Sequence, residues 1–363
     1  MDAFYASVEI KDNPQLAGLP VVVGGSPQSR AVVSAASYKA RDYGIHSAMP
    51  CSRAQRLCSD AVFLPPRFER YKEISQQIHS IFNKYTNLIE PLSLDEAWLD
   101  VTSNLVNIPS ATWVAMRIKR DIKEQLNLTA SAGVSYNKFL AKIASDERKP
   151  DGLFVITPEN APAFLEGIAV RKIPGVGKVT AKKLQLFGIE TGNQLLEKKE
   201  DFLIQRFGKL GGHLYRIIRG IDDRPVQPFR ERKSVGIENT FAVDQFYGEK
   251  MTQEMDRLLD GLSNRVKKTG KKARTVHLKV KFEDFKQITR SMTLSPSDDV
   301  DSAIRQLAHR KLYEICHQEF PREKIRLLGV SLSNFVKQVP VEHDNNYQLD
   351  IFQFLNRSDA EGK

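Results

Sequence analysis

Two adjacent carboxylates have the chemistry to hold a metal ion: Asp95 and Glu96, in the segment Pro91-Leu92-Ser93-Leu94-Asp95-Glu96-Ala97-Trp98. In a regular strand these neighbours would point to opposite faces, whereas a turn or bulge lets both carboxylates converge on one point. Two converging carboxylates repel each other unless a hard cation lies between them, as Mg²⁺ does in phosphoryl transfer. A solvated turn is the alternative interpretation, and the apolar residues on both sides argue against it.

A second set of side chains has the chemistry to bind a triphosphate. Tyr38 and Arg41 are three residues apart, so on a helix they share a face and place a guanidinium beside a hydroxyl. Lys149 precedes a proline, which favours an extended backbone and presents the ammonium group from a loop. Each of these residues, taken alone, also fits an ordinary surface position.

The segment Ile173-Pro174-Gly175-Val176-Gly177-Lys178 predicts a phosphate-binding turn. Gly175 and Gly177 permit a tight turn, and a helix beginning near Lys178 directs its first N–H groups outward. Such a turn binds one phosphate of a nucleic-acid strand without reading its sequence. A turn without function and a mononucleotide loop are the alternatives, but the segment lacks the long Walker spacing and a preceding apolar strand.

Net charge indicates a polyanionic partner. The 363 residues include 54 Lys+Arg and 44 Asp+Glu, a formal charge of +10, which favours nucleic acid. Residues 265–281 contain no acidic side chain, and at the end of this segment Lys279 and Lys281 alternate with Val280 and with Phe282, which follows it. A strand here would turn one face to the core and a basic face to a duplex, although a solvated basic face is the alternative.

An α+β arrangement must position these residues. Hydrophobic periodicity predicts short strands at residues 19–23, 31–34 and 130–134. It predicts amphipathic helices at residues 74–82 and 114–126. Residues 88–101 are predicted to form a pair of strands around a tight turn. The tight turn of that pair carries the two adjacent carboxylates. Small helices joined by glycine-rich turns follow from residue 157 to about 223.

The C-terminal part has a different pattern. A proline-containing linker is followed by the order βαββαβ, at residues 234–241, 251–268, 274–282, 286–294, 300–316 and 325–334. The chain length fits two or three domains. There is no apolar stretch of the roughly 18 residues that a membrane span needs, and three cysteines without metal-ligand spacing fit a reducing cytoplasm.

Seven segments, in this order, resemble Y-family DNA polymerases over nearly the whole chain: MDAFYASVE, SYKARDYGIHSAMP, PLSLDEAWLDV, SAGVSYNKFLAKIASDERKPDG, IPGVGKVTAKKL, FGKLGGHLYRIIRGID and KSVGIENTF. The resemblance implies a right-hand polymerase of low fidelity acting in translesion synthesis and DNA repair. It implies a palm at residues 1–9 and 70–156, with fingers at residues 10–69 between them. A thumb with a helix-hairpin-helix is implied at residues 157–222 and a linker at residues 223–232. A little finger at residues 233–337 and a tail at residues 338–363 complete the implied chain.

The same resemblance assigns the site residues. It implies that Asp95 and Glu96 bind two Mg²⁺ ions, with Glu96 often named the active-site residue, and that Tyr5 is the steric gate under the sugar. It implies that the incoming dNTP is bound by Tyr38, Arg41 and Lys149. Primer–template DNA would be bound by Gly175, Gly177, Lys178, Lys279 and Lys281. The sliding clamp would be bound by Gln348, Leu349, Ile351 and Phe352. It also implies a monomer that does not engage a membrane.

One position departs from the family pattern Asp-x-Asp-x-Phe-Tyr/Phe, whose first Asp bridges both metal ions. Met1 stands at the first x, and Asp2 is the second Asp. We therefore expect a late start assignment or a truncation, with impaired metal binding and low activity. Asp2 is expected to be a poor substitute, and restoring a segment that ends in Asp is expected to raise nucleotide incorporation by orders of magnitude. A non-catalytic DNA-binding protein is the alternative function.

Overall fold

The computed structural model describes residues 1–271, 273–294 and 300–335, and the chain divides into two compact units, Met1–Pro228 and Phe229–Lys363. The boundary falls inside the segment 223–232 for which a linker is predicted. Among the helices of the described ranges, none combines the length and the hydropathy that a membrane crossing requires.

The first unit begins with alternating helices and short strands. Its elements up to residue 156 are α1 (Phe4–Asp12), β1 (Val21–Gly24), β2 (Val33–Ala36), α2 (Tyr38–Arg41), α3 (Cys51–Leu57), β3 (Val62–Leu64), α4 (Phe68–Phe82), β4 (Ile89–Pro91), β5 (Ala97–Leu99), α5 (Ala111–Leu126), β6 (Ala132–Ser135), α6 (Lys138–Ala144) and β7 (Leu153–Ile156). Strands β2, β1 and β3 form one sheet in that order, β4 pairs antiparallel with β5, and β6 pairs parallel with β7. The predicted α+β arrangement is confirmed.

Helical periodicity decides how α4 and α5 pack. Ile74, Ile78 and Ile81 of α4 are buried together with Val114 and Ile118 of α5, in one core that also includes side chains of α1. Apolar residues at this spacing form a stripe along one face of the helix, and this stripe stabilises the helix only when it is buried against the core. Both predicted helices are confirmed, and α4 begins six residues earlier than predicted, at Phe68.

The rest of the first unit is made of small helices. They are α7 (Ala161–Gly167), α8 (Lys178–Gln185), α9 (Gly192–Leu196), α10 (Glu200–Phe207) and α11 (Lys209–Ile217). Their shared core includes Leu184, Leu195, Leu203 and Leu214, each of them fully buried. The predicted series of short helices and glycine-rich turns is confirmed.

The second unit has the predicted order βαββαβ. Its elements are β8 (Ser234–Gln245), α12 (Glu249–Lys267), β9 (Ala273–Phe282), β10 (Gln287–Thr293), α13 (Val300–Glu314) and β11 (Ile325–Phe335). The strands form an antiparallel sheet in the order β10-β9-β11-β8. Val276, Leu278 and Val280 alternate with half-exposed residues along β9 and pack in a core with both helices. Strand β8 extends four residues beyond its predicted end, because Gln245 pairs with Ile325 of β11.

Burial of His79 makes the stability of the first unit depend on pH. Its imidazole is 6 % exposed on α4, and burial lowers its pKa from 6.5 to about 4. The unfolded chain therefore takes up this proton first, so the contribution of neutral His79 is complete above pH 6.5 and is lost as the pH falls towards 4. We expect His79→Gln to reduce the loss of unfolding free energy over this window by about 3 kcal/mol, as measured by urea denaturation at successive pH values. An unchanged pH dependence would contradict this assignment.

Two neighbouring glycines in α11 should respond oppositely to alanine. A Cβ atom on Gly211 would lie 1.9 Å from the Leu203 carbonyl oxygen of α10, whereas one on Gly212 would lie 3.6 Å from the Ile204 side chain. We expect Gly211→Ala to destabilise the protein by about 3 kcal/mol through overpacking. Gly212→Ala is the matched control and should stabilise it by up to about 1 kcal/mol through helix propensity. Denaturant unfolding measures both, and equal effects would argue against this helix packing.

Candidate active site

The two adjacent carboxylates lie in a five-residue hairpin loop. Strands β4 and β5 pair through Pro91 and Ala97, and the loop 92–96 between them is closed by hydrogen bonds from the Leu92 and Ser93 N–H groups to the Glu96 carbonyl. Ser75 of α4 donates a hydrogen bond to the carbonyl oxygen of Leu94, which ties the loop to the helix. The predicted pair of strands and its tight turn are confirmed.

Hydrogen bonds also orient the Asp95 side chain within this loop. The Ser93 hydroxyl donates to Asp95 Oδ1 over 2.8 Å and accepts from the Asp95 N–H over 3.3 Å. The second oxygen, Oδ2, lies 3.8 Å from the Met1 ammonium nitrogen, which also donates to the Asp95 carbonyl over 2.8 Å. One oxygen of Asp95 is therefore held by the loop while the other faces a positive charge.

Positive charge also lies against the second carboxylate. Lys142 of α6 donates from Nζ to Glu96 Oε1 over 2.7 Å. Asp95, Glu96, Lys142 and Lys149 line one cavity of about 210 Å³, whose other walls include apolar side chains of β5, α5 and β6. The cavity thus gathers two carboxylates and two lysines at a partly buried point.

Lys149, which lines the same cavity, forms an ion pair with Asp146. Its Nζ lies 2.7 Å from Asp146 Oδ1. Burial lowers the pKa of the Lys149 ammonium, but the bond to Asp146 and the charges of Glu96 and Asp2 outweigh burial, so the pKa lies above its usual value. Lys149 is therefore a cation at neutral pH. The Lys149–Pro150 peptide bond is cis.

Tyr38 and Arg41 share a face of α2, as their spacing predicts. The Arg41 guanidinium carbon lies 4.8 Å from the centre of the Tyr38 ring, and Arg41 Nε donates to the Ala36 carbonyl over 3.1 Å. Burial and then the charge of Asp2 raise the pKa of the Tyr38 hydroxyl, while the charges of Arg41 and Lys149 oppose them. These couplings place Tyr38, Arg41 and Lys149 within electrostatic range of one another.

Tyr5 is a half-buried residue of α1 that lies close to the carboxylate loop. Burial raises the pKa of its hydroxyl, and the charge of Asp95 raises it further. Its ring stacks on Tyr71 of α4 with centroids 4.2 Å apart and an interplanar angle of 12°. Tyr5 therefore presents a ring of defined orientation beside Asp95.

Asp2 has a structural role that its sequence position does not reveal. It is 2 % exposed, and its Oδ1 accepts from the Ser131 hydroxyl over 2.8 Å while its Oδ2 accepts from the Asp151 N–H over 2.9 Å. The Tyr38 hydroxyl lies 3.5 Å from Oδ1. Both oxygens are thus used by protein donors, and the described residues contain no group of three acidic, histidine or cysteine side chains arranged around a metal position.

The predicted phosphate turn differs in detail from expectation. Gly175 has φ +92°, which favours glycine, whereas Gly177 has φ −78° and serves as the N-cap of α8. A Cβ atom on Gly177 would meet no atom within 4 Å, so neither a positive φ nor protein packing within the described residues requires glycine there. Lys178 is the exposed first residue of α8.

The basic strand of the second unit has polar and charged side chains on one face. Lys279 pairs with Glu238 of β8 over 2.8 Å, and the Lys281 ammonium lies 5.0 Å from the centre of the Phe285 ring. His277 lies between two serines, with 2.7 Å from Nδ1 to Ser291 Oγ and 2.6 Å from Nε2 to Ser333 Oγ. The predicted alternation of β9 is confirmed.

One predicted site lies outside the described residues, and two residues around the active site were not predicted from the sequence. The predicted docking peptide, Gln348, Leu349, Ile351 and Phe352, is outside the described residues. Sequence reasoning missed Lys142 and Asp2 as partners around the site. For Lys142 a signal existed, since it is four residues after Lys138 on α6 and therefore projects from the same helix face. For Asp2 no local signal existed, because its partners come from distant segments.

Family models match most of the chain. Residues 1–146 match the impB/mucB/samB family, residues 232–351 match the C-terminal domain of that family, and residues 158–189 match its HHH motif. Curated relatives match over nearly their whole length. The chain is 50% identical over 352 residues to DNA polymerase IV 2 of Agrobacterium fabrum, covering 97% of each protein.

Further comparisons agree with these. The chain is 51% identical over 357 residues to DNA polymerase IV of Clostridioides difficile, covering 98% of this chain and 96% of the relative. Among solved structures, the Y-family DNA polymerase chimera Dbh-Dpo4(243-245)-Dbh matches with a TM-score of 0.83 at 30% identity. The insertion ternary complex of Dbh DNA polymerase matches with a TM-score of 0.62 at 29% identity, and each match covers 93% of this chain and 98% of the other.

The hydrogen bonds of Asp2 predict a stability effect. Asp2→Ala removes the acceptors of the Ser131 hydroxyl and of the Asp151 N–H, so we expect the unfolding free energy to fall by about 2–3 kcal/mol. Asp2→Asn keeps one oxygen acceptor and should cost less. Urea unfolding of the three proteins tests this ranking. An alanine variant as stable as the parent would show that these bonds contribute nothing.

Proposed function

The chain belongs to the impB/mucB/samB family of Y-family DNA polymerases, and from this premise we propose that the 92–96 loop is the metal-binding centre of its active site. The chain is a DNA-directed DNA polymerase that acts in translesion synthesis, with DNA and deoxynucleotides as partners and a divalent metal as cofactor. The relatives and solved structures described above are all polymerases, so nothing favours the alternative of a non-catalytic DNA-binding protein.

One observation supports the loop as the metal centre. Its two carboxylates line one cavity together with Lys142 and Lys149, and the Lys142 ammonium is bonded to Glu96. A place where protein cations collect around two hard oxygen donors fits a divalent cation. We assign two Mg²⁺ ions to it, held by Asp95 and Glu96.

Divalent cations at this loop would supply two effects, charge neutralisation on the phosphates and a lower pKa for the primer 3′-hydroxyl. The side chains of this chain do the positioning. Asp95 is oriented by Ser93, and the loop is fixed to α4 through Ser75. A loop whose backbone is bonded at both ends holds its carboxylates in one geometry, which reduces reorganisation during nucleotidyl transfer.

The triphosphate of the incoming nucleotide is assigned to three residues. Arg41 has its Nε anchored on the Ala36 carbonyl, which orients the guanidinium, and Tyr38 lies against it. Lys149 adds an ammonium group near Glu96. A planar guanidinium, a hydroxyl and an ammonium together complement a triphosphate in charge and in hydrogen-bond donors. Tyr5 is assigned to the sugar as the gate that rejects a 2′-hydroxyl.

DNA is assigned to two places described separately. In the first unit, the Gly175 turn, Gly177 and Lys178 offer backbone N–H groups at the start of α8 to a strand phosphate. In the second unit, Lys279 and Lys281 offer ammonium groups on the polar face of β9. Phosphate contacts of both kinds position a duplex without reading its sequence, as a polymerase requires.

Domain limits and further partners complete the proposal. We assign the palm to residues 1–9 and 70–156, the fingers to residues 10–69 and the thumb to residues 157–222. The linker is assigned to residues 223–232, the little finger to residues 233–337 and the tail to residues 338–363. The polymerase is assigned to the bacterial cytoplasm as a monomer, and its tail to the sliding clamp through the short polar–apolar peptide Gln348-Leu349-Asp350-Ile351-Phe352.

Primer extension tests the metal-centre assignment. We expect Asp95→Ala and Glu96→Ala each to reduce single-turnover incorporation of a deoxynucleotide by roughly 10³-fold, because each removes a hard oxygen donor from the reacting centre. Enzyme in excess over primed template, with Mg²⁺ or Mn²⁺, makes low rates measurable. Glu124→Ala is the control, since it removes one exposed carboxylate from α5 of the same unit. Extension at the parental rate by either variant would refute the assignment.

A further inference from the structure

A stack of two tyrosine rings links the proposed sugar gate to the core. Tyr5 and Tyr71 lie nearly parallel, with centroids 4.2 Å apart and 12° between the ring planes. Phe68 meets both rings edge-on, at 6.1 Å from Tyr5 and 6.2 Å from Tyr71. One face of Tyr5 is therefore covered by an aromatic neighbour, and a third ring limits sideways movement.

Tyr71 is itself fixed. Its side chain is fully buried, at 0% exposure, and its hydroxyl donates to Glu9 Oε1 over 2.5 Å. Glu9 belongs to α1, one turn after Tyr5, and is 7 % exposed. The Tyr71 side chain thus cannot swing away from its position without breaking a buried hydrogen bond to a carboxylate, a costly loss.

Glu9 is held in turn by an arginine at the start of α4. Arg67 Nε lies 3.0 Å from each Glu9 oxygen, and its Nη2 lies 2.7 Å from Oε2. The same Nη2 reaches Asp12 over 2.8 Å, and Asp12 accepts two further bonds from Arg70. Arg67, which is bonded to both Glu9 and Asp12, therefore joins α1 to the start of α4.

These contacts form one series of neighbours, from Arg67 to Glu9, Tyr71 and Tyr5. Each member is bonded to or stacked on the next, and Tyr5 is the last member of the series. A ring that rejects an extra hydroxyl must keep its place to within a fraction of an ångström, because a small tilt opens room for one oxygen atom. A half-exposed ring on the first turns of a helix does not keep such a position unaided.

We propose that Tyr71 is a positioning residue for sugar discrimination, and that Glu9 and Arg67 hold it in place. By stacking on Tyr5, Tyr71 keeps the gate ring in the plane that meets the 2′-hydroxyl of a ribonucleotide. The inference rests on the proposed role of Tyr5 as the sugar gate. Tyr71 touches neither the metal centre nor the triphosphate residues in the contacts described, so its effect falls on selectivity.

Single-nucleotide incorporation opposite template dG, with dCTP and with CTP, tests this proposal. We expect Tyr71→Leu to lower the ratio of kcat/KM for dCTP over CTP by about tenfold or more, mainly through a lower KM for CTP. Glu9→Gln should change the ratio in the same direction by a smaller factor, because it weakens the hold on the ring but leaves the stack. Tyr71→Phe keeps the stacked ring but removes the hydroxyl bond to Glu9, so it should lower the ratio by at least as much as Glu9→Gln and by less than Tyr71→Leu.

A second buried tyrosine provides the matched control. Tyr85 is 4 % exposed in the same core, and its hydroxyl donates to Asp121 over 2.6 Å, without contact to Tyr5. Tyr85→Leu and Asp121→Asn repeat the same chemical changes away from the gate. We expect them to lower stability by an amount comparable to the Tyr71→Leu and Glu9→Gln variants and to leave the sugar ratio unchanged. A loss of folding is thereby separated from a loss of selectivity.

Tyr5→Ala separates this inference from the function on which it rests. If Tyr5→Ala abolishes discrimination, and Tyr71→Leu and Glu9→Gln each lower the ratio while Tyr85→Leu and Asp121→Asn keep it, the proposal stands. If Tyr5→Ala abolishes discrimination while Tyr71→Leu and Glu9→Gln keep the parental ratio, the positioning role is wrong and the gate remains. If Tyr5→Ala retains discrimination, the gate assignment itself fails.

Discussion

The placement of two consecutive carboxylates, Asp95 and Glu96, in one short loop is the constraint on which the proposed active site depends. A five-residue loop holds them next to each other at a partly buried point, where their charges are screened less than in bulk water. Lys142 lies against Glu96 and offsets part of this negative charge. The same need for positive charge makes the loop suited to divalent cations, so the electrostatics of folding and of catalysis share one origin.

Other carboxylates of this unit have a different use because their surroundings differ. Asp2 and Glu9 are almost fully buried, and donors of the protein engage their oxygens. Such carboxylates join segments of the fold and have no oxygen to offer a metal ion. In Asp95 the loop donor Ser93 engages only Oδ1. Whether a carboxylate serves structure or chemistry therefore depends on the donors that surround it.

The DNA contacts proposed for the two units follow a simpler rule. A helix start behind a glycine turn and a strand with lysines on its polar face both present positive charge or N–H groups without any shape that matches a base. Such surfaces bind phosphates of any sequence. His277, which is hydrogen-bonded to a serine on each neighbouring strand, adds an imidazole to the same face. A polymerase that must move along its template needs contacts of this kind.

Local pattern was enough to predict the amphipathic helix α4, the alternation of β9, the order βαββαβ and the hairpin that carries Asp95 and Glu96, because periodicity of 3.6 or 2 reports which face of an element is buried. It also indicated two glycines for one turn, although only Gly175 has a backbone that favours glycine. Local pattern did not reveal Lys142 opposite Glu96, Asp2 beneath Ser131, or Tyr71 against Tyr5. Those partners come from segments far apart in the chain, and only the packing of the helices and strands around a common core decides which side chains meet.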